Sequence, residues 1–320
     1  MRNLMLVLTA SVLLTAVPAL GGPLMQNRVS GSANWVAHAD YERFNQTLIG
    51  KLIREELAKQ GLEQKLEDFA TVFSFHPLDD VRNVTIYGDG EEQEKAVALI
   101  EATCDKNKLV SLVRMNPEYE TIEYGNLVVH SWVDEKKQDP NKSGVEKTYG
   151  CFFRDDLVIL SSGLDTVKHA IDVLKGTSPN AANGVFTQAS LSAEGAFFQA
   201  AANSVGQIAG QQQQTAVLRQ TEKLGMVVGE DMGKFYCDLN LTAKSEEIAK
   251  SISQILGGII AFTALQDQEQ PELAGLAKKV QLTCTQNVIQ IHFDTDSQGV
   301  VTFLKEQWEK KQKQDDAAAQ

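Results

Sequence analysis

The chain has 320 residues, 43% of them hydrophobic and 22% charged, with 42 acidic against 30 basic side chains, a formal charge of −12 and four cysteines. Those fractions are those of a globular protein and exclude a disordered chain or a disulfide-knot scaffold. The acidic balance argues against nucleic acid or an anionic membrane surface as the main partner, because both require a dense cationic face.

The N-terminus has a positive start at Arg2, an apolar stretch from Leu4 to Val17, then Pro18 and the small-residue site Ala19-Leu20-Gly21. That pattern predicts a secretory signal peptide over 1–21. No cysteine adjoins the cleavage site, so the expectation is an exported, soluble protein, periplasmic or extracellular, without a lipid anchor. The apolar run Ile252 to Leu265 is too short to span a bilayer and reads as a buried helix, so no membrane span is expected.

Trp35 to Asp40 reads as a strand. Phe44, Leu48 and Leu52, with Ile49, Ile53 and Leu57, make four-residue rows on a helix that stops at Gly61. Leu62, Leu66, Phe69 and Phe73 give a second helix, ended by Pro77. Strand signals follow at Val84 to Tyr87 and Ala96 to Ala102, then a helix from Lys106 to Arg114. Tyr119 to Tyr124 and Leu127 to Val133 flank Gly125-Asn126, a two-residue hairpin signal. Thr148 to Phe153 and Leu157 to Leu160 form another hairpin around Asp155-Asp156, and Leu164, Val167, Ile171 and Leu174 mark a helix ending at Gly176.

The later half runs through a similar order. Ala196 to Ala202 is a strand, and the segment to Thr221 reads as helical with a loop at Gln211 to Gln214. Leu224 to Val228 and Lys234 to Thr242 pair across Gly229 and Gly233. Ser245 caps a helix with Glu246 and Glu247 in its first turn, and the rows at Ile248, Ile252, Ile255, Ile259 and Phe262 point to its buried face. Close approach to a neighbour is expected to compensate Gly257-Gly258 in that helix. Val280 to Thr285 and Val288 to Phe293 form a hairpin, and Ser297 starts a last helix through Trp308, before a polar, frayed tail. A duplication explains the repeated order: a signal peptide (1–21), a first half (22–180), a second half (190–309) and a polar tail (310–320). Most strands alternate polar and apolar residues, which predicts an α+β fold of two related halves, each a mainly antiparallel sheet covered by helices on one face.

Leu78-Asp79-Asp80-Val81 with Val84-Thr85-Ile86-Tyr87-Gly88, Tyr149-Gly150-Cys151-Phe152-Phe153, Val158-Ile159-Leu160-Ser161-Ser162 and Lys244-Ser245-Glu246-Glu247-Ile248-Ala249 together resemble a family of uncharacterised exported bacterial proteins, a domain of unknown function. The resemblance implies an exported α+β protein and brings no catalytic residues.

Among five histidines, the close His and carboxylate pair is His38 with Asp40 on one strand face, a metal-ligand pair that His130 would join if the strands adjoin. The solvent face of a half-buried strand accounts for the same residues, so no metal site is assigned. His169 is expected to face solvent near the end of its helix. No serine-hydrolase elbow and no phosphate loop occurs, so no catalytic or cofactor-binding residue is assigned and no cofactor is expected. Asp79-Asp80 and Asp155-Asp156 sit where turns use aspartate. Cys104 with Cys151 and Cys237 with Cys284 are equally spaced and suggest one disulfide per half, although aligning Lys95 with Lys234 puts the pairs out of register and buried free thiols fit as well. The function expected is a non-enzymatic binding or scaffolding module of the cell envelope. The alternatives are a carrier of an apolar ligand such as lipid, in a cavity under the Ile252 to Leu265 helix, and a hydrolase with an unrecognised site. The matching partners are an envelope protein or an apolar ligand.

Overall fold

Residue alternation decides how the strands are covered, and it starts at β1 (Trp35–Asp40), where Val36, His38 and Asp40 are buried and the residues between them are half-buried. The computed structural model describes residues 22–90, 92, 95–133, 147–184, 186, 194–205, 216–268 and 270–318, with side chains up to 310. The expected signal peptide and the Gln211 to Gln214 loop lie outside these residues.

The strands that follow are β2 (Val81–Gly88), β3 (Ala96–Ala102), β4 (Glu120–Tyr124), β5 (Leu127–Val133), β6 (Lys147–Arg154), β7 (Leu157–Ser161), β8 (Ala196–Asn203), β9 (Thr221–Asp231), β10 (Lys234–Ala243), β11 (Gln281–Thr285) and β12 (Val288–Asp296). All join in one antiparallel sheet, in the order β11-β12-β10-β9-β8-β1-β2-β3-β7-β6-β5-β4. The Gly125-Asn126 turn joins β4 to β5 with Gly125 at φ +62°, a conformation glycine adopts without strain. The fold is α+β, as expected. The two expected halves do not form separate sheets: β1 pairs with β8, and the strand sets on either side run on through that pair.

Register assigns each side chain to a face, because residues directly opposite across a ladder point the same way. One row runs Val129, Cys151, Ile159, Leu99, Thr85, His38, Gln199, Val227, Asp238, His292. This face is apolar at the β5 end and polar at the β12 end. Its apolar part is covered by α5 (Leu164–Leu174), whose Val167, Ala170 and Ile171 are fully buried, and by an N-terminal strap in which Val29 and Ala33 enter the same core. The Ala181–Asn183 turn closes on the strap through Ala181 N–H to the Val29 carbonyl, 2.9 Å.

The opposite face carries the remaining helices. The expected long helix after β1 is split: α1 (Tyr41–Gln46) ends at Thr47, whose hydroxyl accepts from Gly50 N–H, 2.8 Å, and caps α2 (Leu48–Lys59). A β-region φ/ψ at Thr47 breaks the helical path while its oxygen satisfies a donor of the next helix. α3 (Leu62–Phe73) and α4 (Lys106–Val113) lie over β3, β7, β6 and β5, so the first-half strands are covered on both faces rather than one. Over the other end lie a short α6 (Ala216–Arg219), α7 (Glu246–Ala264), α8 (Pro271–Ala277) and α9 (Ser297–Ala318). α9 packs on α2 through Val300, Val301, Ile49 and Leu52 and continues through most of the segment expected to fray. No described helix is long and apolar enough to cross a membrane.

The buried face expected for α7 needs correction. Ser245 caps it as expected, but only Ala249 and Ile252 are buried, while Ile255, Ile259 and Phe262 are exposed. Burial stops near Gly257, where a Cβ would make ordinary contact, 3.5 Å, with Leu282 of β11, the edge strand; beyond it no sheet remains to cover the helix. A Cβ at Gly258 would meet nothing within 4 Å, so close approach explains neither glycine.

Candidate apolar binding cavity

β3 and β7 bury one face and leave the other half-buried beneath helices. Leu99, Leu157 and Ile159 are at most 3% exposed, whereas Ile100, Val158 and Leu160 on the opposite face keep partial exposure although α3 and α4 lie over them. The reason is a cavity of about 310 Å³ between this sheet face and the two helices. Ile100, Ala102, Val158, Leu160, Phe152, His130 and Trp132 floor it, and Phe69, Phe73, Leu109, Val110, Leu112 and Val113 wall it from above.

The roof stands off the sheet for a local reason. Neither α3 nor α4 has a fully buried residue. Phe69 and Phe73, one turn apart, stack at 4.1 Å and present a broad apolar surface inward. Lys108 ties the roof together by donating to Ser74 Oγ, 2.6 Å, at the end of α3. The size and apolar lining are those of a small-molecule site.

His130 is the polar group on the floor. Its Nδ1 is 2.7 Å from the Tyr119 hydroxyl, and the rings stack at 5.9 Å. Burial, with the charges of Arg114 and Lys106, holds His130 below the usual histidine pKa, which favours its neutral form. Burial, with the charges of four aspartates, pushes the Cys104 thiol up.

The structure places His38 and His130 on opposite faces, because His38 shares a row with Val129, the neighbour of His130. Five strand steps separate them, about 24 Å. His38 and Asp40 do share a face, but His38 bonds Thr85 Oγ1 at 2.8 Å and the Gly22 carbonyl at 2.9 Å, and Asp40 caps α1 by accepting from Arg43 N–H. Burial holds the His38 pKa down and the Asp40 pKa up. Both side chains are spent on local structure. Among the described residues no cluster of three or more His, Cys, Asp or Glu is arranged for a metal ion.

The four cysteines are free thiols. Cys284 lies in the row of Ile289 and Leu241, four residues along β10 from Cys237 and two strands away. Cys151 lies in the row of Leu99, which Cys104 follows by five residues, again two strands across. Both separations exceed the reach of a disulfide, so the bridges suggested by equal spacing do not form.

Two groups escaped the sequence reading. Exposed His169 bonds the buried Ser30 through Nε2 and Oγ, 2.9 Å, pinning the strap to α5. On the same face as His38, Arg28 and Arg154 pair with Glu101 at 2.6 and 3.1 Å, and Arg82 and Arg154 pair with Asp156 at 2.6 and 2.9 Å, around a polar cavity of about 280 Å³. Burial alone would raise Glu101, but hydrogen bonds from Asn83 and Arg28, with the neighbouring arginine charges, take it below the usual carboxylate range. Each arginine here already has a carboxylate. No short sequence pattern signals either group: apart from Arg154 with Asp156, the ion pairs and the His169–Ser30 bond join residues 53 to 139 apart.

The molecule is thus an α+β protein built on one large antiparallel sheet, with an apolar cavity beneath two amphipathic helices. No family model matches the chain and no curated protein does. Solved structures of TP0453 are similar: crystal form III has a TM-score of 0.47 at 9% identity, covering 89% of this chain and 98% of that one. Crystal form I has 0.46 at 8% identity, covering 90% and 98%. At that level of similarity neither a site nor a function passes from one chain to the other.

Proposed function

We propose that this chain is an exported, non-enzymatic binding protein for an apolar ligand, held between α3, α4 and the β3-β7-β6-β5 face. The observation that carries this is the cavity, with its almost wholly apolar lining and its half-buried floor. The location differs from the sequence-based expectation, which put a cavity under the Ile252 to Leu265 helix. Each methylene moved from water contributes about 0.8 kcal/mol, so a chain of eight to ten supplies roughly 6 to 8 kcal/mol before the cost of association. The cost of association comes off that sum, so an affinity weaker than micromolar, on the order of tens to hundreds of micromolar, is the corresponding expectation.

A neutral fluorescent apolar dye, N-phenylnaphthylamine, tests the reading. The native protein is expected to bind it in a saturable way. Val110→Phe grows from α4 into the cavity and should abolish binding while leaving the melting temperature unchanged or raised. Ile259→Ser, on the exposed side of α7, should leave binding intact. Dye binding that survives Val110→Phe, or that disappears with Ile259→Ser, would place the dye elsewhere and overturn the proposal.

A further inference from the structure

The charges around the cavity are not evenly distributed. On the β3 side, Cys104 feels Asp80, Asp105, Asp155 and Asp156. The nearest cation there, Lys106, sits 5.5 Å over the Phe152 ring and 3.9 Å from the Asp155 carboxylate. Three strand steps away, about 14 Å, the β5 side is marked by His130, on which Arg114 is the larger acting charge, with the same Lys106 behind it.

Arg114 stands at the C-terminal end of α4, where a cation suits the helix dipole. Its Nε donates to the Tyr119 hydroxyl, 3.5 Å, which is in turn bonded to His130 on the cavity floor. Among the described residues no carboxylate pairs with Arg114, although the chain has 42 acidic side chains. The nearest acid in the chain, Glu118, is exposed and acts on Lys147, and Glu120 at the start of β4 pairs with Lys147 at 2.7 Å. Glu120 stands opposite Ser131, so it points to the other face of the sheet from His130. Arg114 follows Val113 of the cavity wall and reaches His130 of its floor through the Tyr119 hydroxyl; a guanidinium without a carboxylate among the described residues, beside a phenol and away from the aspartates near Cys104, is complementary to a planar anion attached to an apolar tail.

We propose that the ligand is a single-chain amphiphile with an anionic headgroup, a long-chain carboxylate, its tail under α3 and α4 and its carboxylate on Arg114 and Tyr119. This rests on the apolar-ligand reading and adds the head group and its orientation. The acidic β3 side opposes the reverse orientation, and a neutral His130 leaves the floor free of competing charge.

Competition against N-phenylnaphthylamine with two ligands of one tail length, dodecanoate and dodecanol, separates the two ideas. The native protein is expected to prefer dodecanoate by about tenfold, the scale of one charge-assisted hydrogen bond at a partly solvated site. Arg114→Gln should remove the preference by weakening dodecanoate and leave dodecanol unchanged. Arg114→Lys should retain part of the preference, which shows that charge rather than folding is being read. Equal affinities in the native protein, or a preference that survives Arg114→Gln, would overturn the head-group assignment while leaving the cavity as an apolar site. If neither ligand competes and the dye itself does not bind, the apolar reading fails first and this one with it.

Discussion

Ile252 and Ile259 stand seven residues apart on one face of α7, and the first is 4% exposed while the second is 58% exposed. The difference comes from where the sheet ends. Ile252 packs with Leu241, Ala243 and Ile289, whereas Ile259 lies past the turn that meets β11. Ile252→Ala should therefore cost about 2 to 4 kcal/mol through lost burial and a residual cavity. Ile259→Ser should change stability by less than about 0.5 kcal/mol. Urea midpoints at constant m-value check both, and equal losses would contradict the packing described.

The strap that closes the core beside α5 gives a second expectation. Ser30 is buried, and its hydroxyl is held by His169. Replacing His169 by Ala leaves that hydroxyl without its side-chain partner on α5, for a cost of about 1 kcal/mol. The strap should loosen first, so hydrogen exchange at the Gly31 and Ala33 amides should quicken while exchange in β9 and β10 stays as it was. Uniform acceleration across the sheet would show that the bond is not local to the strap.

Histidine titration should give stability a defined pH dependence. Burial lowers the His38 pKa in the folded chain, and burial with two cations lowers that of His130. A lowered histidine pKa means the unfolded chain takes up the proton first. Stability from these two groups is thus fully present above about 6.5 and is lost as pH falls from there toward their folded values. His292 has the opposite sign: the hydrogen bond to Asp238, 2.6 Å, raises its pKa, so its contribution is present below about 6.5 and is lost as pH rises through the raised value. His38→Gln should flatten the loss of stability between neutral and mildly acid pH, and His292→Gln should steepen it. Melting temperatures at several pH values in that range measure both slopes, and identical slopes in the two variants would refute the assignment.

Local signals carried most of the elements. Ser245 before two glutamates, Gly125-Asn126 between two alternating segments, and the polar-apolar alternation of Val288 to Phe293 each contain their own physical cause, so element type followed from a few adjacent residues. What failed needed register. His38 and His130 looked joinable until the ladder showed that an odd offset puts them on opposite faces. α7 is apolar on more than one row, and periodicity alone cannot say which row meets a sheet that stops halfway along the helix. The cavity lies between the sheet and α3 and α4, whose apolar rows read as ordinary core; only the half-buried state of Val158 and Leu160 beneath them distinguishes a floor from a packed layer. Arg114 sits at a helix end, where a cation has a structural reason to be, and its place beside the cavity depends on Tyr119 and His130 from another hairpin.

The cysteines bear on whether either half is braced covalently. Cys151 is fully buried and burial pushes its thiol up to about 11, so at neutral pH it carries almost no thiolate and has no path to a reagent. Cys104, Cys237 and Cys284 are each only partly buried. A maleimide added to the folded protein without reductant should modify these three slowly and leave Cys151 untouched. After unfolding in urea, still without reductant, intact mass should show four adducts. Two bridges would instead leave no thiol to modify, and a single bridge would leave two. The melting temperature should also be the same with and without reductant, because breaking a bridge that closes a loop of this length would lower stability by about 4 kcal/mol. A drop on reduction would require strands two ladder steps apart to have moved together, and would overturn the register that puts Cys284 in the row of Leu241, four residues from Cys237.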